Sequence, residues 1–168
     1  MAARKPKTAE ADTPPFRSAA FLLSSLGFTV SRRFHEVLGP LKLEPGEFAL
    51  LRAVSAGDGE PQNALAERLH ISPSWMVAIV DELERRGLLE RRPHARDRRV
   101  RNLHLTSDGK KLLRQAERRA REFDRQVASP LSEIERLQLL DLLQRVASGL
   151  DLPPGAAHAA LRDRGSVS

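Results

Sequence analysis

The chain contains no cysteine among its 168 residues and only five histidines. The lack of thiols excludes a disulfide framework, a thiolate metal site and a thiol redox sensor. No two histidines are four residues apart, which is the spacing that presents a pair of metal ligands on one face of a helix. We therefore expect neither a metal site nor a cofactor.

Catalytic and membrane motifs are also missing. The sequence has no glycine-rich phosphate loop and no cluster of acid and base residues, so we expect a protein that is not an enzyme. The apolar stretch at residues 19–30 is interrupted by two serines and Gly27, and a Pro14–Pro15 pair precedes it. This pattern fits neither a signal peptide nor a membrane span, and we expect a cytoplasmic protein.

What the chain has in excess is arginine. Its 28 Lys and Arg outnumber its 22 Asp and Glu, which gives a formal net charge of +6. Nearly all of this excess lies in residues 84–101, where eight arginines stand against three acidic residues. Because the guanidinium fork suits phosphates and guanine edges, the composition predicts a polyanionic partner. The simpler alternative is a solvated arginine-rich loop.

Apolar periodicity and capping residues predict a single folded unit of six helices and one β-hairpin. Ser72 and Thr106 are predicted N-caps, and Ser132 with Glu135 predicts a capping box. Glycine and proline end the first, second and fourth helices. The predicted helices cover about residues 16–38, 45–56, 62–69, 72–87, 106–127 and 132–148, and the predicted strands cover about 88–92 and 100–105.

Two of these helices, at about residues 62–69 and 72–86, are separated by a very short turn. Their apolar positions face each other, and the small Ala66 allows the helices to cross closely. An ordinary helical hairpin in an all-α core is one interpretation. The arginine-rich hairpin that follows favours another, a helix-turn-helix with a β wing that reaches into the minor groove.

Three stretches make this pattern specific. Residues 65–69 read Leu-Ala-Glu-Arg-Leu, residues 80–91 read Val-Asp-Glu-Leu-Glu-Arg-Arg-Gly-Leu-Leu-Glu-Arg, and residues 97–106 read Asp-x-Arg, five residues, then Leu-Thr. With the order of elements over residues 16–149, they resemble the MarR family of winged helix-turn-helix transcriptional regulators. The resemblance implies a mainly α-helical fold with a small β-hairpin wing.

The resemblance also implies a homodimer that binds a pseudo-palindromic double-stranded DNA operator as a repressor. The wing would insert Arg99 into the minor groove, and Asp97 would brace that arginine. The apolar seam on residues 113–127 agrees with a dimer, but it is equally compatible with packing against the last helix of the same chain. The implied organisation is a flexible tail (1–14), a dimerisation helix (15–44), the winged helix-turn-helix domain (45–105), two dimerisation helices (106–149) and a second flexible tail (150–168).

The exposed face of the predicted recognition helix departs from the family, because it offers few donors to base edges. Base readout would rest on Ser74, on contacts with thymine methyl groups and on DNA shape. Trp75 is either exposed to DNA or partly buried, and its position beside the apolar stripe favours DNA. The expected DNA-binding residues are Ser72, Ser74, Trp75, Val77, Ala78, Arg96, Asp97, Arg98, Arg99 and Arg101.

An effector site is the last feature that the resemblance implies. Many family members respond to small aromatic acids bound between the dimer helices and the DNA-binding domain. Phe34, His35 and Phe48 would lie near this cleft, although core packing explains both phenylalanines equally well. The alternative to a DNA-binding regulator is a winged-helix module that binds RNA or docks on a protein, because a fold alone does not determine function.

Overall fold

The computed structural model describes residues 18–69, 71–94 and 100–152. The observed order of elements is the predicted one, and the mainly helical fold with a two-stranded hairpin is confirmed. The elements are α1 (Ala19–Leu38), a 3-10 turn (Gly39–Leu41), α2 (Pro45–Ala56), α3 (Gln62–Arg68), α4 (Pro73–Arg85), β1 (Leu89–Pro93), β2 (Arg101–Leu105), α5 (Ser107–Val127) and α6 (Glu133–Gly149).

Side-chain caps determine where several helices begin. The hydroxyls of Ser72, Thr106 and Ser132 each accept a hydrogen bond from a backbone N–H in the first turn of α4, α5 and α6. All three caps were predicted from the sequence. A further capping box at the start of α2 was not: the side chain of Glu47 accepts from the N–H of Glu44, and that of Glu44 accepts in return.

The hydrophobic core lies among α2, α3, α4, the hairpin and the first half of α5. The apolar stripe that the sequence predicts on α4 is buried in full. Burying these side chains is the main favourable term in folding, at about 25 cal/mol per Å² of apolar surface. The largest fully buried side chains are Leu38, Leu50, Leu51, Leu65, Met76, Leu83, Leu89, Leu103, Val54 and Val80.

The hairpin is a regular antiparallel pair that runs from Leu89 opposite Leu105 to Pro93 opposite Arg101. A short segment before α3 adds to its other edge. The N–H of Gly59 donates to the carbonyl of Leu103 (3.2 Å), and the N–H of Leu103 donates to the carbonyl of Glu60 (3.1 Å). Strand β2 therefore holds the wing and the start of the helix-turn-helix together.

The apolar seam of α5 packs mainly against α1 and α2. Leu113 and Ala116 are buried, Phe123 is half-buried, and Val127 is exposed. The alternative, packing of this seam against the last helix, is not what the structure shows. The seam contacts α1 and α2, and no residue of α6 is buried. Among the described helices, none is both long and apolar enough to cross a membrane.

Candidate nucleic-acid interface

Helices α3 and α4 form a tight helix-turn-helix. Leu65 and Ala66 of α3 are buried against the core stripe of α4, and Ala66 is small enough to permit a close crossing. The N–H of Ile71 donates to the carbonyl of Ala66 (3.1 Å), which closes the turn. Ser72 then caps α4 and Pro73 occupies its first position, so the second helix begins at once.

The outer face of α4 carries most of the predicted base-reading residues. Ser72, Ser74, Val77 and Ala78 are all exposed, and they lie together on the first two turns. The hydroxyl of Ser72 caps the helix at the N–H of Trp75 (3.3 Å). The hydroxyl of Ser74 shares a hydrogen bond with that of Ser72 (3.3 Å) and remains exposed.

Trp75 differs from its neighbours because it is half-buried and packs against the hydrophobic core. The sequence left its orientation open, with the helical spacing favouring DNA. In the structure part of the indole joins the core and part remains accessible.

The wing contributes one described residue to the predicted interface. Arg101 is exposed at the start of β2. Arg96, Asp97, Arg98 and Arg99 lie outside the described residues. A groove of about 740 Å³ separates the base of the wing from the recognition helix. Its lining comprises Gln62, Asn63, Ala66, Glu67, Ile71, Pro73, Met76, Val77, Val100 and Arg101.

Four of the five described arginines in the basic segment are engaged in ion pairs. Arg85 pairs with Glu82, Arg86 with Glu47, Arg91 with Asp81 and Glu84, and Arg92 with Glu90. The hydrogen bond from Arg85 lowers the pKa of Glu82 and raises the pKa of the arginine. The sequence suggested one basic block, whereas the structure divides it into paired arginines before the wing tip and an exposed Arg101 after it.

A partly buried ion pair holds the end of the recognition helix. Arg86 donates from Nη1 to both carboxylate oxygens of Glu47 (3.0 and 3.1 Å) and from Nη2 to the carbonyl of Lys42 (2.7 Å). Lys42 has a left-handed backbone (φ 51°) just after the 3-10 turn. The pairing spans 39 residues of sequence, and sequence analysis did not identify it.

The three residues proposed for an effector cleft are only partly brought together. The rings of Phe34 and Phe48 meet edge to face at 5.8 Å, and Phe123 of α5 joins Phe34 at 5.7 Å. Phe48 is buried, which supports the core-packing interpretation for that residue. His35 lies on the exposed side of α1, where its Nδ1 is 3.2 Å from a carboxylate oxygen of Glu44.

A tight helix-turn-helix followed by an antiparallel hairpin defines the winged helix-turn-helix class. A sequence profile of the MarR family matches residues 41–100. The HTH-type transcriptional regulator PecS of Dickeya dadantii (strain 3937) is 33% identical over 131 residues, or 76% of this chain and 79% of PecS. A putative transcriptional regulatory protein for the hcr operon of Thauera aromatica is 33% identical over 102 residues, or 61% of each chain. The chain belongs to the MarR family of transcriptional regulators.

Solved structures show the same architecture. The transcriptional repressor CouR bound to a 23-mer DNA duplex matches with a TM-score of 0.73 and 28% identity, over 86% of this chain and 99% of that one. The PcaV transcriptional regulator of Streptomyces coelicolor in complex with its natural ligand matches with a TM-score of 0.66 and 25% identity, over 82% and 97% of the two chains.

Proposed function

We propose that the protein is a transcriptional repressor that binds a pseudo-palindromic duplex DNA operator as a homodimer. The observation that carries this proposal is the position of the wing relative to the recognition helix. Val77 on the outer face of α4 and Arg101 at the base of the wing border the same groove. One duplex lying across this surface would meet the helix in its major groove and the wing beside it.

The composition of the interface suggests how DNA is read. Val77 and Ala78 offer apolar contacts that suit thymine methyl groups, and Ser74 offers a hydroxyl. Such a face can make few bidentate hydrogen bonds to base edges. Recognition of DNA shape by the wing would therefore contribute more to specificity. We propose that Arg96, Arg98, Arg99 and Arg101 contact phosphates or the minor groove, with Asp97 orienting Arg99.

Dimerisation is supported by apolar surface that the single chain leaves uncovered. In α1, Leu26 and Phe28 are exposed, and the exposure of Phe28 reaches 75%. In α6 the large exposed side chains are Ile134, Leu137, Leu139, Leu140, Leu142, Leu143 and Val146. Patches of this extent mark interaction surfaces. A second copy of the chain, related by a two-fold axis, would bury both helices and place two recognition helices side by side.

We also propose that a small aromatic acid relieves repression. The cluster of Phe34, Phe48 and Phe123 lies where α1, α2 and α5 meet, between the proposed dimer helices and the DNA-binding domain. The half-buried rings of Phe34 and Phe123 could stack on such a ligand. Adding benzoate or 4-hydroxybenzoate to an operator-bound sample should release DNA, and Phe34→Ala should reduce that release. Release that is unaffected by the variant would contradict this site.

Selection from a random pool tests the main proposal. Duplexes retained by the full-length protein should contain inverted repeats whose half-site centres lie about one helical turn, roughly 10 bp, apart. Ala78→Glu, which puts a negative charge on the exposed face of α4, should abolish enrichment. Ala56→Glu, an equivalent change at an exposed position ending α2, should preserve it. Retention of single-stranded RNA, or of duplexes without inverted repeats, would favour the RNA-binding or protein-docking alternative.

A further inference from the structure

Arg91 lies in the middle of β1, and its side chain joins the wing to both helices of the helix-turn-helix. Its two terminal nitrogens donate to carboxylate oxygens of Asp81 and Glu84 on α4. Its Nε donates to Oε1 of Gln62 on α3 at 3.0 Å. The side chain of Arg91 is 20% exposed, so its guanidinium is shielded from solvent and salt more than that of an ordinary surface arginine.

The backbone of Arg91 is attached to the same helix. Its strand partner is Leu103, but the N–H and carbonyl of Leu103 bond to Glu60 and Gly59 on the other edge. The N–H of Arg91 instead donates to Oε1 of Glu84 at 3.1 Å. Glu84 therefore accepts from both the backbone and the side chain of one wing residue, which fixes the strand as well as the guanidinium.

We propose that Arg91 is a positioning residue that fixes the angle between the wing and the recognition helix. The inference rests on the proposed function, because the angle matters only if wing and helix meet one duplex together. A guanidinium is planar and rigid, so three acceptors on two helices hold it in a single orientation. The arginine acts on DNA through the wing, and it does not itself contact phosphate.

Electrostatics support this assignment. Asp81 is 58% exposed on α4, one turn beyond Val77 and Ala78, where an unpaired carboxylate would repel a phosphate backbone. Arg91 offsets one of the two negative charges of Asp81 and Glu84 and holds both carboxylates in place. If Arg91 turned toward DNA, it would leave two carboxylates without their partner beside the duplex, and a single phosphate contact would not compensate for that loss.

The neighbouring arginine provides a matched control. Arg92 lies on the same strand with its side chain on the opposite face, is 58% exposed, and pairs with Glu90 of its own strand. Arg91→Gln and Arg92→Gln remove the same charge at adjacent positions. Only Arg91→Gln removes the guanidinium bonds to α3 and α4, while the backbone bond to Glu84 remains.

A double-mutant cycle with Arg101→Ala tests the inference on a selected operator. In the wild-type and Arg92→Gln backgrounds, loss of Arg101 should weaken binding about tenfold. In the Arg91→Gln background it should weaken binding less than about threefold, since the wing is no longer placed against the duplex. Equal losses in all three backgrounds would overturn the inference, whereas failure of the wild type to bind any duplex would overturn the proposed function.

A second measurement needs no DNA. In the free protein, amide hydrogen exchange of β1 and β2 should accelerate in Arg91→Gln and stay near wild type in Arg92→Gln, while the core of α4 stays protected in both. Unchanged protection of the hairpin in Arg91→Gln would contradict positioning. If that variant fails to fold, Arg91→Lys, which keeps one charged donor but loses the fork, should show the same effects in weaker form. Wild-type behaviour of the lysine variant in both measurements would also overturn the inference.

Discussion

Trp75 occupies the third position of the recognition helix, at the edge of the core. Helical spacing places it beside the buried stripe of Met76, Ile79 and Val80, which is why the sequence favoured exposure to DNA. Helical side chains lean toward the N-terminus, however, and a ring as large as indole reaches the core from a flanking position. The structure accordingly packs part of Trp75 against the core.

Truncation of this side chain separates its structural contribution from any role in readout. Because the indole is only half-buried, we expect Trp75→Ala to cost about 2 kcal/mol of unfolding free energy, less than the roughly 3 to 5 kcal/mol of a fully buried aromatic residue. The ratio of operator to random-duplex affinity should remain near wild type. Trp75→Phe should recover most of the stability. A fall in the affinity ratio at unchanged stability would instead assign the indole to base readout.

The wing arginines make a second prediction at the residue scale. If Arg99 contacts DNA, Arg99→Ala should weaken binding to all duplexes and reduce the log–log salt slope by about 0.9. Asp97→Ala should also weaken binding, although it raises the net charge, because the brace on Arg99 is lost. Arg92→Ala, which removes an arginine already paired with Glu90, should change the slope less. Tighter binding by Asp97→Ala would contradict the brace.

At the scale of elements, the junction between wing and α5 depends on Gly109. A Cβ at this position would lie 2.0 Å from the backbone carbonyl oxygen of Leu88. Thr106 supports the same contact, since its hydroxyl donates to the carbonyl of Gly87 (2.7 Å) and accepts from the N–H of Gly109 (3.0 Å). The first turn of α5 can approach the backbone of Leu88, just before β1, this closely only with glycine.

Gly109→Ala should therefore destabilise the protein by about 3 kcal/mol or more, because the clash is with backbone and no flexible side chain can move aside. The natural control is Gly149→Ala in α6, where a Cβ meets nothing within 4 Å. That change should be neutral or should stabilise the helix by up to about 1 kcal/mol. Chemical denaturation of both variants measures the difference. Equal stability would show that the junction adapts.

The same elements show which features a sequence can predict. Caps and apolar stripes are local, so residue type and spacing were enough to predict the caps at Ser72, Thr106 and Ser132 and the buried stripe of α4. Contacts between distant segments produce no such periodic pattern in the sequence. The bonds of Leu103 to the segment before α3 and the pair of Glu47 with Arg86 depend on how elements come together. For that reason, the net charge of the sequence overstated how much positive charge is unpaired before the wing tip, where the described arginines form ion pairs.

At the scale of the whole molecule, α6 is the element that bears most directly on the proposed dimer. Its large apolar residues are spread over most of its circumference, and Ile134 lies on the same side as the polar Gln138, Asp141 and Arg145. A helix that is apolar on so many sides is stable in water only when other structure covers it. In this single chain no residue of α6, all of which the structure describes, is buried. A second copy is the proposed cover, and a stable interface needs about 1,000 Å² or more of buried surface.

Two adjacent substitutions in α6 test this dimer. Leu137 is 55% exposed, so Leu137→Glu should cost a single chain little, yet it would place a charge within the proposed interface. Gln138→Glu adds the same charge one residue later, on the side that carries Asp141 and Arg145. We expect wild type and Gln138→Glu to sediment as dimers at micromolar concentration. Leu137→Glu should sediment as a monomer and bind the operator at least about tenfold more weakly, since two half-sites are no longer engaged together. A wild-type protein that sediments only as a monomer would overturn the two-fold arrangement and, with it, the expectation of palindromic sites.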